Sequence, residues 1–222
     1  MDIYLDLFSR SFPLLIKGIQ MTVGVLIIAA ALSFLLGLIL GIFSSHRLKL
    51  PIATPIIEAV TFVYRAVPFY VQLLIVYFVF PGVLGFNLEP FPASVIALGM
   101  CSSGYVAQIV RAGMNSIPAA QWEAAFALSY GKFQTLRYII LPQMLQNVLP
   151  AFNNELESIL KSTAIVSSIG LLELTRAGMN VVSREMEPIP IYLMVAFLYL
   201  CLSVLLNMMT RLLERKLAYV KN

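Results

Sequence analysis

Residues 121–143 read QWEAAFALSYGKFQTLRYIILPQ, a polar, helix-forming stretch set into a chain that is otherwise strongly apolar. Pro118 suits a first helical turn, and residues 121–128 hold no helix breaker. Ser129-Tyr130-Gly131 reads as a turn, after which a second short helical run reaches Leu141 and breaks at Pro142. The pattern predicts a helix-turn-helix over 118–142. Its first helix would expose the small residues Ala124, Ala125 and Ala127 beside the charge of Glu123, a surface shaped for docking.

The surrounding chain belongs in a bilayer. Of 222 residues, 60% are hydrophobic and 12% charged, with a mean hydropathy of +0.89, against about 25% charged in a soluble domain. Charge-free intervals at 18–45, 66–88, 90–110, 138–154 and 188–210 approach or exceed the ~17–25 residues that a spanning helix needs. They do not alternate as barrel strands would. The expectation is an all-α membrane protein, a single domain over 1–222 with five spans near 18–43, 55–80, 90–111, 143–165 and 188–210.

Several chemistries are excluded or disfavoured by residue content. The net charge of +4 comes from basic residues between and after the apolar runs, where orientation signals lie, so nucleic acid is not expected as a partner. Cys101 and Cys201 fall inside spans and read as small apolar residues. There is no phosphate-cradling G-x-x-x-x-G-K-[ST], no H-E-x-x-H, and a single histidine, His46. No catalytic residue, metal site or cofactor bound by this chain is predicted. The opening MDIYLDLF lacks a basic leader, so the first span is expected to stay, with residues 1–17, including Asp2 and Asp6, lying at the interface before it.

Within the spans, small and polar residues stand out. Gly37-x-x-x-Gly41 permits close helix contact, either inside the chain or with a second copy. His46, Arg47 and Lys49 form a basic loop closed by Pro51. Pro68 should bend the second span and free carbonyls, with Arg65 before it and Gln72 one turn beyond. These residues suggest a lined pathway, although Arg65 alone could be snorkelling to the headgroups. Residues 81–92 read as a turn-rich outer loop.

The fourth span carries Pro150, Asn153, Asn154, Glu155 and Glu157. Carboxylates at membrane depth mark a pathway or a paired site; the plain alternative is an i,i+4 pair of Glu157 with Lys161, which leaves Glu155 unexplained. Residues 166–187 are expected as an outer loop with a short helix near 171–177, and RLLERKLAYVKN as a basic cytoplasmic tail. Arg47, Lys49, Arg111, Lys132, Arg137, Arg211, Arg215, Lys216 and Lys221 fall on one side, against Arg10, Lys17, Lys161, Arg176 and Arg184 on the other. This bias places the N-terminus outside and both the C-terminus and the 121–143 stretch in the cytoplasm.

The 123–142 segment resembles the EAA motif of ABC importer permeases: Glu123, Ala124, Ala125, Ile139, Leu141 and Pro142 fall in register, while Ser129 stands at the motif's glycine and Gly131 follows two residues later. Residues 15–22, 65–72, 105–121, 154–163 and 169–178 resemble the polar amino acid branch of the same family, with departures at Ala66, Val67, Gln108 and Glu157. The resemblance implies a type I importer permease fold in a bacterial inner membrane and a cytoplasmic ABC ATPase dimer that carries ATP and Mg. It also implies a second permease copy or a related permease, an extracytoplasmic solute-binding protein and surrounding lipid. Glu123, Ala124, Ala125, Ala127, Ser129, Gly131, Leu141 and Pro142 would couple to the ATPase. Arg65, Pro68, Gln72, Gln108, Asn154, Glu155, Glu157 and Lys161 are the candidate solute pathway. The expected function is import of a polar amino acid, Glu155 and Glu157 motivating a cationic one. Two alternatives stand beside it. One is a non-conducting scaffold or regulator that docks an ATPase; the other is an ion channel, disfavoured by the absence of a filter-like repeat.

Overall fold

The computed structural model describes residues 2–219, with side chains from 7 to 216, so the side chains of Asp2 and Asp6 and the tail residue Lys221 lie outside the described residues. The elements are helical: α1 (Asp2–Phe43), α2 (Ala53–Ala66), α3 (Phe69–Leu84), α4 (Pro90–Asn115), α5 (Ala119–Ala127), α6 (Lys132–Ile169), α7 (Leu174–Glu185) and α8 (Pro188–Tyr219). Three described helices, α1, α4 and α8, are each long and apolar enough to cross a membrane. The number rises to five if α2 with α3, and α6 with α7, each make one broken span.

Helix lengths exceed the predicted spans because the expected breakers do not all break. Residues 2–17 are not a separate interfacial segment but the first turns of α1, which runs through Pro13. Its buried residues Leu7, Ser11 and Leu15 recur at the spacing of one helix face. Pro142 likewise interrupts nothing. The turn before it, Leu136–Ile140, is wound as a π-helix, and the Leu141 N–H donates to Leu136 O five residues back. A widened turn makes room for a ring that has no N–H of its own to offer. The same device precedes Pro81, where Ile75–Val79 is a π turn and the Phe80 N–H reaches Ile75 O. The helix therefore continues to Leu84, ends on a left-handed Gly85, and shortens the expected 81–92 loop to a few residues.

Pro68 does break its helix. α2 stops at Ala66 and Pro68 is the N-cap of α3. The carbonyls stranded there are met by side chains: Gln72 Nε2 donates to Val67 O at 2.7 Å, Tyr105 Oη to Arg65 O at 3.4 Å, and Cys101 Sγ lies 3.7 Å from Tyr64 O. In a medium without water such partners are obligatory. The expected outer loop at 166–187 is mostly ordered helix, with a 3-10 end at Thr163–Ile169 and then α7.

By its internal packing the chain divides into two compact units, each assembled from three segments. The first comprises 1–31, 67–99 and 156–207; the second comprises 32–66, 100–155 and 208–222. In the first, Leu15, Leu174, Ala177 and Val195 form one core cluster, and Leu7, Val181 and Ile191 another. α7 can sit this close because Gly18 leaves no Cβ against Leu174 and Ala177, and Gly178 none against Val195. In the second, Val106, Val110, Met114, Ile117, Trp122, Ile140, Met144 and Val148 form the core, with Phe34, Leu38 and Ile42 of α1 against it. Gly37 and Gly41 face α4 here. A Cβ at Gly37 would stand 2.5 Å from Val106, and one at Gly41 2.6 Å from Ala107 O and from Val110 Cβ. The pair serves packing inside the chain.

Between α5 and α6 the chain turns through a Schellman motif. The Tyr130 N–H donates to Ala125 O at 3.0 Å and the Ser129 N–H to Phe126 O at 2.9 Å, with Ser129 left-handed at φ 63°. A non-glycine residue in that region costs about 1 kcal/mol or more. Gly131 is extended, caps the start of α6, and gives its N–H to Gln134 Oε1 at 2.9 Å.

Two stability predictions follow from this backbone. Gly41→Ala should lower stability by about 1–3 kcal/mol, because a backbone oxygen must move, whereas Gly24→Ala, whose new Cβ would meet only Phe91 at 3.7 Å, should be near neutral. Ser129→Gly should raise stability by about 0.5–1 kcal/mol, the relieved strain being partly offset by the freer unfolded chain. Thermal unfolding in detergent followed by helical signal measures all three; a Gly41→Ala midpoint equal to that of Gly24→Ala would contradict the packing, and a lower midpoint for Ser129→Gly the turn.

Candidate coupling element and polar pathway

The 118–142 helix pair is tied to the second unit by its buried face. On α5, Trp122 is 2% exposed and Ala125, three residues on, is 1% exposed. This corrects one expectation: Ala125 is not part of an exposed small-residue surface, because i and i+3 share a face and Trp122 turns that face into the core. Glu123, Ala124 and Ala127 are exposed. On α6, Ile140 is fully buried and Leu141 packs half-buried on the same core, so Leu141 supports the element from within. Ser129, Gly131 and Pro142 are exposed. Gln143 Nε2 links the two helices, donating to Gln121 Oε1 at 3.3 Å and to Ile139 O at 2.8 Å.

The sequence pattern underweights the element's apolar tip. Leu128 is 71% exposed and Phe133 72%, with Phe126 and Tyr130 also exposed around the turn. A large apolar side chain on each side of a tight turn, beside a carboxylate, makes a convex surface whose apolar area favours a partner over water. The signal available in the sequence was the position of Leu128 and Phe133 immediately outside the turn, where no core is left to cover them.

The candidate pathway residues are divided between the units: Arg65, Gln108, Asn154 and Glu155 belong to the second, Pro68, Gln72, Glu157 and Lys161 to the first. Within the second unit, Glu155 Oε1 accepts from Ser102 Oγ at 2.6 Å, and Arg65 Nε donates to Thr61 O at 3.2 Å. Gln108 lines a cavity of about 460 Å³ together with Gly113, Ser116 and Asn147. Asn154 is exposed, and its neighbour Asn153 accepts from Thr210 Oγ1 at 2.6 Å. Within the first unit, Glu157 is bonded by Asn207 Nδ2 and paired with Lys161 at 3.3 Å. The i,i+4 pair expected as the plain alternative is therefore formed. Lys161 is 70% exposed, which keeps such a pair weak. Gln72 and Pro68 act together as the repaired break described above.

Other polar groups emerge only in three dimensions. Arg111 Nη1 pairs with Glu58 Oε1 at 3.2 Å, joining α4 to α2 within the second unit. Glu173, fully buried, accepts from the Thr175 N–H at 2.8 Å, the Arg176 N–H at 2.7 Å and Tyr199 Oη at 2.8 Å. It caps α7 and anchors it to α8. Glutamate is an uncommon cap, and Glu173 lies in the 166–187 stretch expected as an outer loop.

Known proteins resemble the chain over most of its length. Residues 33–219 match the family described as binding-protein-dependent transport system inner membrane component. The arginine transport system permease protein ArtQ of Bacillus subtilis (strain 168) is 34% identical over 92% of this chain and 93% of its own length. The glutamine transport system permease protein GlnP of Escherichia coli (strain K12) is 32% identical over 93% and 94%. A crystal structure of an amino acid ABC transporter with histidines superposes with a TM-score of 0.83 at 33% identity, covering 94% of this chain and 96% of that one. An inward-facing structure of the MetNI methionine ABC transporter shares the fold, with a TM-score of 0.81 at 18% identity over 93% and 97%. The chain belongs to the family of binding-protein-dependent transport system inner membrane components, the permease subunits of ABC importers.

Proposed function

We propose that the chain is the transmembrane subunit of an importer that moves a polar amino acid into the cytoplasm, driven by ATP hydrolysis on separate subunits. The observation that carries the coupling half of this reading is the exposed tip at Phe126, Leu128 and Phe133, placed beside Glu123 on a helix pair that runs without interruption into α6. A cytoplasmic ABC ATPase, binding ATP and Mg, receives that tip; its groove takes the apolar side chains, and Glu123 adds a charge-assisted contact at the rim. Ala124 and Ala127 allow close approach, and the Ser129 turn sets the direction of the tip. The charge bias supports a cytoplasmic position for this element and for the C-terminus, with the N-terminus outside. A second permease, identical or related, and an extracytoplasmic solute-binding protein complete the assembly.

The cargo half rests on the relatives, whose names specify arginine and glutamine, and on the amino acid transporter of known structure. Within the second unit, Asn153, Asn154 and Glu155 of α6, with Thr210 bonded to Asn153 and Ser102 to Glu155, are groups suited to bind a zwitterion in passage. Because Lys161 already pairs with Glu157, if weakly, a cationic cargo must compete with that lysine.

Reconstitution with the cognate ATPase and binding protein in vesicles tests both halves. ATP-dependent accumulation of a labelled polar amino acid is expected, and its absence from a vesicle that retains the ATPase would favour the scaffold reading. If the cargo is cationic, Glu157→Gln should reduce arginine uptake by about tenfold or more while leaving the assembly intact. Unchanged arginine uptake by the intact variant would exclude Glu157 as a cation site.

A further inference from the structure

Within the second unit, Ser102 and Tyr105 stand three residues apart on α4 and so share a face. Ser102 Oγ donates to Glu155 Oε1 of α6 at 2.6 Å, and Tyr105 Oη donates to the Arg65 carbonyl of α2 at 3.4 Å. α2 comes this close because Gly104 carries no side chain: a Cβ there would stand 3.0 Å from Tyr64 Cβ and 3.2 Å from Arg65 Cγ. The stem of Arg65 therefore lies against α4 beside Tyr105, and the Tyr105 hydroxyl is within electrostatic reach of both Arg65 and Glu155.

These two charges differ from the others of the unit. Glu58 and Arg111 satisfy each other at 3.2 Å. Among the described residues, neither Arg65 nor Glu155 forms an ion pair. Arg65 uses one of its five donors, Nε, on Thr61 O at 3.2 Å, and Glu155 accepts through Oε1 alone. Both side chains are half-buried. A guanidinium and a carboxylate left without counter-charges in a membrane protein mark a binding path more than a scaffold. Carried on different helices, with Tyr105 in reach of both, they offer a cation and an anion to one ligand.

We propose that Arg65 and Glu155 clamp the main-chain ends of an amino acid, Arg65 taking the α-carboxylate and Glu155 the α-ammonium. This rests on the importer reading above and goes beyond it by assigning each end of the cargo to a residue. The two Nη groups of Arg65 suit a bidentate hold on a carboxylate, Ser102 fixes the Glu155 carboxylate in place, and Tyr105 braces the backbone that carries Arg65. Because the clamp reads groups common to α-amino acids, it sets the class of cargo and leaves the side chain to other contacts. Glutamine and arginine then meet the same two residues.

The test is equilibrium binding of labelled L-glutamine and L-arginine to the permease–ATPase complex in nanodiscs, without the binding protein and its own selectivity. The α-amide of each, which lacks the carboxylate, and the Nα-acetyl derivative, which lacks the ammonium, compete against them. In the wild type each derivative should bind about tenfold or more weaker than its parent. Arg65→Gln should weaken the parent by a similar factor and bind parent and amide alike, with Arg65→Lys retaining part of the preference. Glu155→Gln should do the same for parent and acetyl derivative. A folded Arg65→Gln complex that still prefers the parent to its amide would overturn the proposal, as an arginine merely reaching for headgroups predicts. Should the variants fail to assemble, the wild type decides alone: derivatives binding as well as the parents, or no saturable binding at all, overturn it. If vesicles of the same complex with its binding protein still accumulate the amino acid, only the clamp falls; if they do not, the importer reading falls as well.

Discussion

In a bilayer each backbone N–H and C=O must find a partner without water, and this chain repeatedly strains that rule with proline. Its answers differ with position. Before Pro81 and Pro142, a π turn shifts the bonding by one residue and the helix continues. At Pro68 the helix stops, and Gln72, Tyr105 and Cys101 reach the carbonyls of Val67, Arg65 and Tyr64. Polar and weakly polar side chains in these spans are thus partly structural. Gln72 in particular is consumed by the backbone it repairs.

The repair at Pro142 has a mechanical consequence. Because helix continues from Lys132 to Glu155 within the second unit, the second limb of the coupling element and the stretch that bears Asn153 and Glu155 are one element. The first limb is fixed to it by the Schellman turn at Ser129, by Gln143 to Gln121, and by Trp122 sharing a core with Ile140 and Met144. A partner that displaces the exposed tip at Leu128 and Phe133 therefore acts, within the second unit, on the helix that carries Glu155. Packed cores transmit such a displacement because they resist continuous deformation.

Much of this was legible before any coordinates. Long charge-free runs specified helices and membrane, and the 121–143 stretch stood out because it alone broke them with turn residues between helical ones. Ser129 was recognisable as the awkward position, and its left-handed φ confirms a conformation for which glycine is the usual choice. Helix ends were less legible, since proline is a breaker only when the preceding turn cannot widen, and that depends on neighbours distant in sequence. Ala125 was misread for a similar reason: which face of α5 is covered depends on Trp122 finding the core of α4 and α6, not on the size of alanine. The pairing of Glu155 with Ser102, of Glu58 with Arg111 and of Glu173 with Tyr199 spans 26 to 53 residues and has no local signature.

The central claim is that the 119–127 helix and its turn are the surface that receives an ATPase. The most direct measurement is retention of the cognate ATPase when the permease is purified in mild detergent carrying Glu123→Arg together with Leu128→Asp, two exposed positions remote from the core. The account predicts that the variant reaches the membrane and keeps its helical content yet loses the ATPase. Wild-type retention of the ATPase by that variant would contradict it.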